Sequence, residues 1–186
     1  MSMTKDELRR ALRAASPGRE ARDRESLMLC AHITAWEPYR RARVVGGYMP
    51  LSWEANVVPV LQDALSRGKT LALPRCMAEG QLCFHRVESL GCLRRGAYGL
   101  WEPEEDAPVV GAEEINLLLV PLEGISSSGA RLGKGGGYYD RLLASCQALT
   151  LGAALSWQWT EDIPREMWDR PLHACAGAEG IRIFRQ

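Results

Sequence analysis

One stretch of this chain carries residue types that could do chemistry: Gly129-Ala130-Arg131-Leu132-Gly133-Lys134-Gly135-Gly136-Gly137-Tyr138-Tyr139-Asp140-Arg141. It follows a strongly apolar segment and leads into a helical pattern. Three consecutive glycines, 135 to 137, weaken any packed element, because each loses more backbone entropy than another residue would. They suit a place where backbone must approach a ligand. Exposed N–H groups at a helix start, flanked by Arg131 and Lys134, form an anion site, and phosphate is the natural guest. The stretch is not a Walker A loop, since only three residues separate Gly129 from Gly133 and a glycine follows the lysine. The plainer reading is a flexible glycine turn with solvated basic side chains.

Asp140, one turn into the helix, has two readings. It is a favourable charge at the positive helix end, or a Mg²⁺ ligand beside phosphates, since Mg²⁺ takes one or two carboxylates plus phosphate oxygens. Other chemistries are poorly represented. The cysteines at 30, 76, 83, 92, 146 and 175 form no CxxC pair, and the neighbours Leu29, Leu82 and Leu93 are apolar. They read as reduced, buried thiols, and with His32, His85 and His173 scattered no structural metal is expected. The six tryptophans, at 36, 53, 101, 157, 159 and 168, read as packing.

The elements that must position these residues follow from pattern. Thr4 and Glu7 make a capping box for a helix over Lys5–Ala15, with Leu8 and Leu12 on one face. Ser16-Pro17 predicts the N-cap and first position of a second helix, running to about Ala35 and ended or bent by Pro38. Strands are predicted at 44–49, 70–73 (ended by Pro74), 82–87, 115–120, 149–155 and 180–184, with helices at 54–67 and 138–147. Pro59 implies a kink or a later start in the former. Residues 91–108 read as loop. The segment Ile115–Val120, five apolar residues in six, fits a sheet covered on both faces. The alternation predicts one α/β domain over 1–186, a three-layer sandwich on a mostly parallel sheet.

Val120-Pro121, Gly124 and the core Arg131-Leu132-Gly133-x-Gly135-x-Gly137-Tyr138-Tyr139-Asp140 resemble the signature of the 5-formyltetrahydrofolate cyclo-ligase family. The likeness extends to Lys5 and Arg9, to Tyr48, Pro50 and Glu54, to Pro74-Arg75, to Tyr98-Gly99-Leu100-Trp101-Glu102-Pro103, and to Pro164 and Asp169. It implies a fold like that of ribose-phosphate isomerases and CoA transferases. It also implies ATP- and Mg²⁺-dependent closure of 5-formyltetrahydrofolate to 5,10-methenyltetrahydrofolate, by phosphorylation of the formyl oxygen and attack by N10. ATP would be held by Lys5, Arg9, and the run Arg131, Leu132, Gly133, Lys134, Gly135, Gly136, Gly137, Tyr138 and Tyr139. Arg131, Tyr139 and Asp140 would serve catalysis, Asp140 and Asp169 would bind Mg²⁺, and Tyr48, Glu54 and Tyr98 would line the folate side.

The sequence departs from the family pattern at Asn56 and Val57, at Leu122, at Ile125-Ser126, and at Trp168. These changes leave open a paralogue acting on another N-formyl or carboxylate substrate, or a non-catalytic nucleotide- or folate-binding protein. Lys plus Arg equals Asp plus Glu, 23 each, which argues against a nucleic-acid partner. No apolar run approaches 18 residues, and Met1–Arg13 carries no apolar leader. A cytoplasmic monomer acting on small molecules is the expectation.

Overall fold

The computed structural model describes residues 3–167 and 169–184. Its helices are α1 (Lys5–Ala14), α2 (Arg19–Ala35), α3 (Glu37–Arg41), α4 (Val58–Ser66) and α5 (Tyr138–Ser145). Its strands are β1 (Val44–Gly46), β2 (Thr70–Cys76), β3 (Leu82–Val87), β4 (Arg94–Arg95), β5 (Trp101–Glu102), β6 (Val109–Val110), β7 (Leu117–Val120), β8 (Gly124–Ser126), β9 (Arg131–Leu132), β10 (Leu149–Ala153), β11 (Trp159–Thr160), β12 (Ala174–Gly177) and β13 (Gly180–Ile183).

Eight strands form one sheet in the order β13-β12-β10-β7-β1-β2-β3-β6. The five central strands, β12 to β2, run parallel; β13 and β3 flank them antiparallel, and β6 pairs antiparallel with β3. Side chains alternate across the sheet. Leu117 and Leu119 face Leu29 and Ile33 of α2 and Val60 and Leu61 of α4. Leu118 and Val120 face the opposite layer, with Leu143 of α5, Leu172 and Phe184. Both faces are thus covered, as the unbroken apolar run of β7 requires. A separate three-stranded sheet, β11-β8-β9, receives α1, whose Leu8 and Leu12 pack on Ala130, Leu132 and Ile163.

The predicted elements are present with informative shifts. The Thr4–Glu7 capping box forms as expected. Helix α2 begins at Arg19 with Gly18 as its N-cap, not at Pro17. The Arg22 guanidinium donates to the Pro17 carbonyl at 2.6 Å and to Ser16 Oγ at 3.4 Å, folding that segment into a turn. Pro38 does more than end α2, because it sits in the first turn of α3. The helix predicted over 54–67 starts late, at Val58, with Pro59 in its first turn where no N–H is missed.

Pro74 does not end β2, which continues to Cys76 opposite β3. Thr70 N–H donates to the Arg43 carbonyl, and the Ala72 carbonyl accepts from Gly47 N–H. Pro74, two residues on, therefore turns its nitrogen to the β1 side, where β1 has already stopped. No ladder bond is lost. Of the cysteines, only Cys30 and Cys175 are buried, and Cys92 is exposed. All six are free thiols.

Candidate active site

The C-terminal ends of β1, β2 and β7 open onto a cavity of about 480 Å³, lined at those ends by Tyr48, Pro74 and Cys76, and Pro121. Carboxyl ends of parallel strands are where open α/β sheets bind ligands. The glycine segment 133–137 and the first residues of α5 form one wall, and Met49, Leu51, Trp53, Leu82, Leu100 and Trp101 form an apolar one. Trp53 and Trp101, read from sequence as packing, are therefore wall residues.

The glycine wall has a physical reason. Gly135 and Gly137 sit at φ +95° and +70°, which L side chains rarely adopt. Gly137 in that left-handed conformation is the N-cap of α5 and offers no side-chain cap. The leading N–H groups of the helix are thus left for a ligand.

Helix α1 stands against this wall. Lys5, Arg9 and Arg13 recur every four residues, hence on one face. Arg9 Nε donates to the Gly133 carbonyl at 2.7 Å, fixing the loop. Lys5 Nζ lies 2.7 Å from Asp169 Oδ2 and 3.2 Å from Glu166 Oε2. Arg13 grips both oxygens of Glu123, at 3.0 and 2.5 Å. Glu123 is completely buried. Arg13 and Glu123 were not singled out in the sequence, although Arg13 shares the periodicity of Lys5 and Arg9.

Arg131 is almost fully enclosed. It pairs with Asp140 Oδ1, donates to the Pro121 carbonyl at 3.2 Å, and lies 5.9 Å from the Tyr139 ring centre. Asp140 lines the cavity. Asp169 stands apart from that lining, tied to Lys5 and to the Glu166 N–H. Leu132, expected in the phosphate set, buries its side chain against α1, so only its backbone faces a ligand role. Lys134 Nζ lies 2.9 Å from Glu54 Oε1. The contact is close but poorly aligned, and Oε1 receives no directed hydrogen bond. Burial, the largest influence, raises the Glu54 carboxyl above its ordinary value, and Lys134 partly offsets this. Burial likewise raises the phenols of Tyr48 and Tyr139, so both are neutral donors at pH 7. Tyr98, at φ +57° on the loop before β5, is 80% exposed, and its hydroxyl meets that of Tyr138 at 3.2 Å. That partner pushes the Tyr138 phenol up to about 12.

Mg²⁺ bound to phosphates needs only one or two protein carboxylates, and Asp140, paired through Oδ1 with Arg131, is a carboxylate of the cavity lining beside the glycine loop. Among the described residues no three His, Cys, Asp or Glu cluster as a self-sufficient metal site. The departures from the family pattern have local structural work. Asn56 Oδ1 accepts from Val58 N–H at 3.2 Å at the entry to α4. Ser126 Oγ accepts from Ala130 N–H and meets Ser128 Oγ, closing the β8–β9 turn. Neither residue lines the cavity. Trp168 lies outside the described residues.

The model of the 5-formyltetrahydrofolate cyclo-ligase family matches residues 2–176. This chain belongs to that family. Among cyclo-ligase relatives, the 5-formyltetrahydrofolate cyclo-ligase of Haemophilus influenzae is 30% identical over 139 residues, 72% of this chain and 74% of its own. The Escherichia coli K12 cyclo-ligase is 28% identical over 173 residues, 90% of this chain and 94% of its own. The solved 5,10-methenyltetrahydrofolate synthetase of Aquifex aeolicus superposes with a TM-score of 0.88 at 31% identity, covering 99% of this chain and 94% of its own. A synthetase from Mycoplasma pneumoniae shares the fold, with a TM-score of 0.77 at 20% identity over 95% of this chain and 99% of its own. Mixed α/β architecture on a large, mostly parallel sheet is thus a property of the cyclo-ligase family, as expected.

Proposed function

We propose that this chain converts 5-formyltetrahydrofolate to 5,10-methenyltetrahydrofolate with consumption of ATP. One observation carries the reading beyond family membership. A single cavity joins a glycine-rich, cation-flanked wall at a helix start to an apolar wall rich in aromatic rings. The first suits a polyphosphate, the second a flat heterocycle.

The chemistry divides between the two walls. A formamide oxygen is a poor leaving group until it is phosphorylated. Transfer of the γ-phosphoryl group to the formyl oxygen releases ADP. Attack of N10 on the formyl carbon, with loss of the N10 proton, then closes the ring, and the oxygen leaves with inorganic phosphate. Phosphoryl transfer is chiefly positioning and charge stabilisation. In this reading Arg9 and Gly133–Gly137 orient the phosphates, Lys5 and Lys134 add positive charge, and Tyr139 closes over the transferred group. Arg131 holds Asp140, and Asp140 would hold Mg²⁺, which supplies charge neutralisation on the phosphates; Asp169, expected as a second ligand, instead pairs with Lys5 away from the cavity lining. Tyr48, Glu54 and Tyr98 contact the folate, with Tyr98 as an aromatic face at the cavity mouth. The location of Asn56 and Ser126 outside the cavity supports 5-formyltetrahydrofolate over another N-formyl compound. The free thiols accord with a reducing, cytoplasmic setting. Mixing the protein with Mg-ATP and 5-formyltetrahydrofolate should raise the absorbance of the methenyl product. No rise, with the protein folded and ATP bound, would refute the activity.

A further inference from the structure

Helix α1 is placed by side chains alone. Among the described residues no backbone hydrogen bond joins it to another element. Leu8 and Leu12 seat it on Ala130, Leu132 and Ile163. Apolar burial is non-directional, so it holds the helix down without fixing its rotation or register. Directed contacts must do that, and they come from Lys5, Arg9 and Arg13.

The three anchors are unequal. Lys5 pairs with Asp169 and with Glu166, whose side chain is half exposed. Arg9 donates to the Gly133 carbonyl at 2.7 Å, and a side chain at Gly135 would come within 3.6 Å of its guanidinium. Arg9 is thus held by the glycine wall it serves. Arg13 alone reaches a completely buried carboxylate, gripping both oxygens of Glu123 at 3.0 and 2.5 Å. Glu123 is itself tied to the exit of β7. Its N–H donates to the Leu132 carbonyl at 2.7 Å, and the buried Gln158 side-chain amide donates to the Leu122 carbonyl at 3.1 Å. An apolar pair of similar volume is often as stable as a buried ion pair or more so, and the best-attested use of a buried ion pair is to fix register. Two parallel N–H···O bonds add the geometric specificity that the leucines lack.

We propose that Arg13–Glu123 is a positioning pair for nucleotide binding. It fixes the rotation and register of α1, and so sets Arg9 against the glycine wall. Neither residue lines the cavity, so both act through Arg9. The proposal rests on the reading of that wall as the ATP phosphate site.

Arg13→Met combined with Glu123→Leu removes both charges and keeps the space filled. Two readouts decide its effect. The Arg9 Nε–H, protected in the wild-type chain by the Gly133 carbonyl, should exchange with solvent faster. The dissociation constant for Mg-ATP should rise about tenfold, the scale of one misplaced charged hydrogen bond, with the melting temperature equal or higher. A lower melting temperature with Arg9 protection and ATP affinity unchanged would make the pair merely structural and overturn the proposal. Weaker ATP binding with Arg9 still protected also overturns it, because the pair would then act by charge alone. If the wild-type chain binds no Mg-ATP, the phosphate reading fails, and the Arg9 exchange rate still decides the positioning: faster exchange supports it and unchanged exchange overturns it. If the double variant does not fold, Arg13→Lys keeps the charge but loses the fork. It should also speed Arg9 exchange, and unchanged exchange there overturns the proposal.

Discussion

Asp140 can be weighed by what it touches. It neutralises the enclosed Arg131 and also stands in the cavity wall. Asp140→Asn keeps an oxygen that Arg131 can donate to, but removes the charge a Mg²⁺ needs. Turnover should fall on the order of 100-fold, the scale of losing one aligned electrostatic group, while the unfolding midpoint moves little. Near-normal turnover in a folded Asp140→Asn chain would confine Asp140 to its pairing role. Glu54 makes a prediction about pH. Burial raises its carboxyl above the ordinary carboxylate value, against the pull of Lys134. The folded state then keeps a proton that the unfolded chain has lost. Stability from this group is full below the ordinary value and is lost as pH rises through the raised one. Glu54→Gln removes that titration, so its stability relative to wild type should improve from about pH 4 to pH 7. Denaturant unfolding of both proteins across that range checks the sign, and a constant difference would contradict it.

At the scale of elements, the glycine loop is where conformation and function meet. Gly137 at φ +70° caps α5 beside the Arg141 guanidinium, and Gly68, also at φ +70°, ends α4 with nothing near it. Alanine at either position should cost about 1–2 kcal/mol of stability, the strain of a left-handed residue. Only Gly137→Ala should also raise the KM for ATP. Equal ATP kinetics in the two variants would separate the loop from nucleotide binding. These elements differ in how legible they were. The glycine loop stood out because three glycines in a row have no place in a packed segment, and Leu117–Val120 because its apolar run is unbroken. Strand β12 was missed: Ala174-Cys175-Ala176-Gly177 is small and has no β-branched residue. It is a strand because it fills the narrow space beside β10, not because of propensity. Strands β9 and β11, two residues each, are too short to show a period. Pro74 misled because the edge that excuses a proline is created by where β1 stops. Trp53 looked like packing because its place in the cavity lining depends on residues such as Arg13, 40 positions away along the chain, whose guanidinium lies against its ring.

At the scale of the whole molecule, the site is assembled from remote pieces. Residues of α1 near the N-terminus meet the glycine loop and, through Lys5, Asp169. A ligand that bridges α1 and the loop binds the native state alone. Mg-ATP should therefore raise the melting temperature, with a gain of about 2.7 kcal/mol at 100 times its dissociation constant. Hydrogen exchange of the α1 amides should slow in parallel. A melting temperature indifferent to millimolar Mg-ATP would remove the phosphate wall from the account. No helix among the described residues is long and apolar enough to cross a membrane.

If this cavity activates a formyl oxygen by phosphoryl transfer, the fate of that oxygen reveals it. With ¹⁸O in the formyl group of 5-formyltetrahydrofolate, a single turnover with Mg-ATP should place the label in the inorganic phosphate released, one atom for each methenyl product formed. Methenyl product accompanied by unlabelled phosphate, with the ¹⁸O recovered in water, would mean that the ring closes by dehydration and would contradict the account.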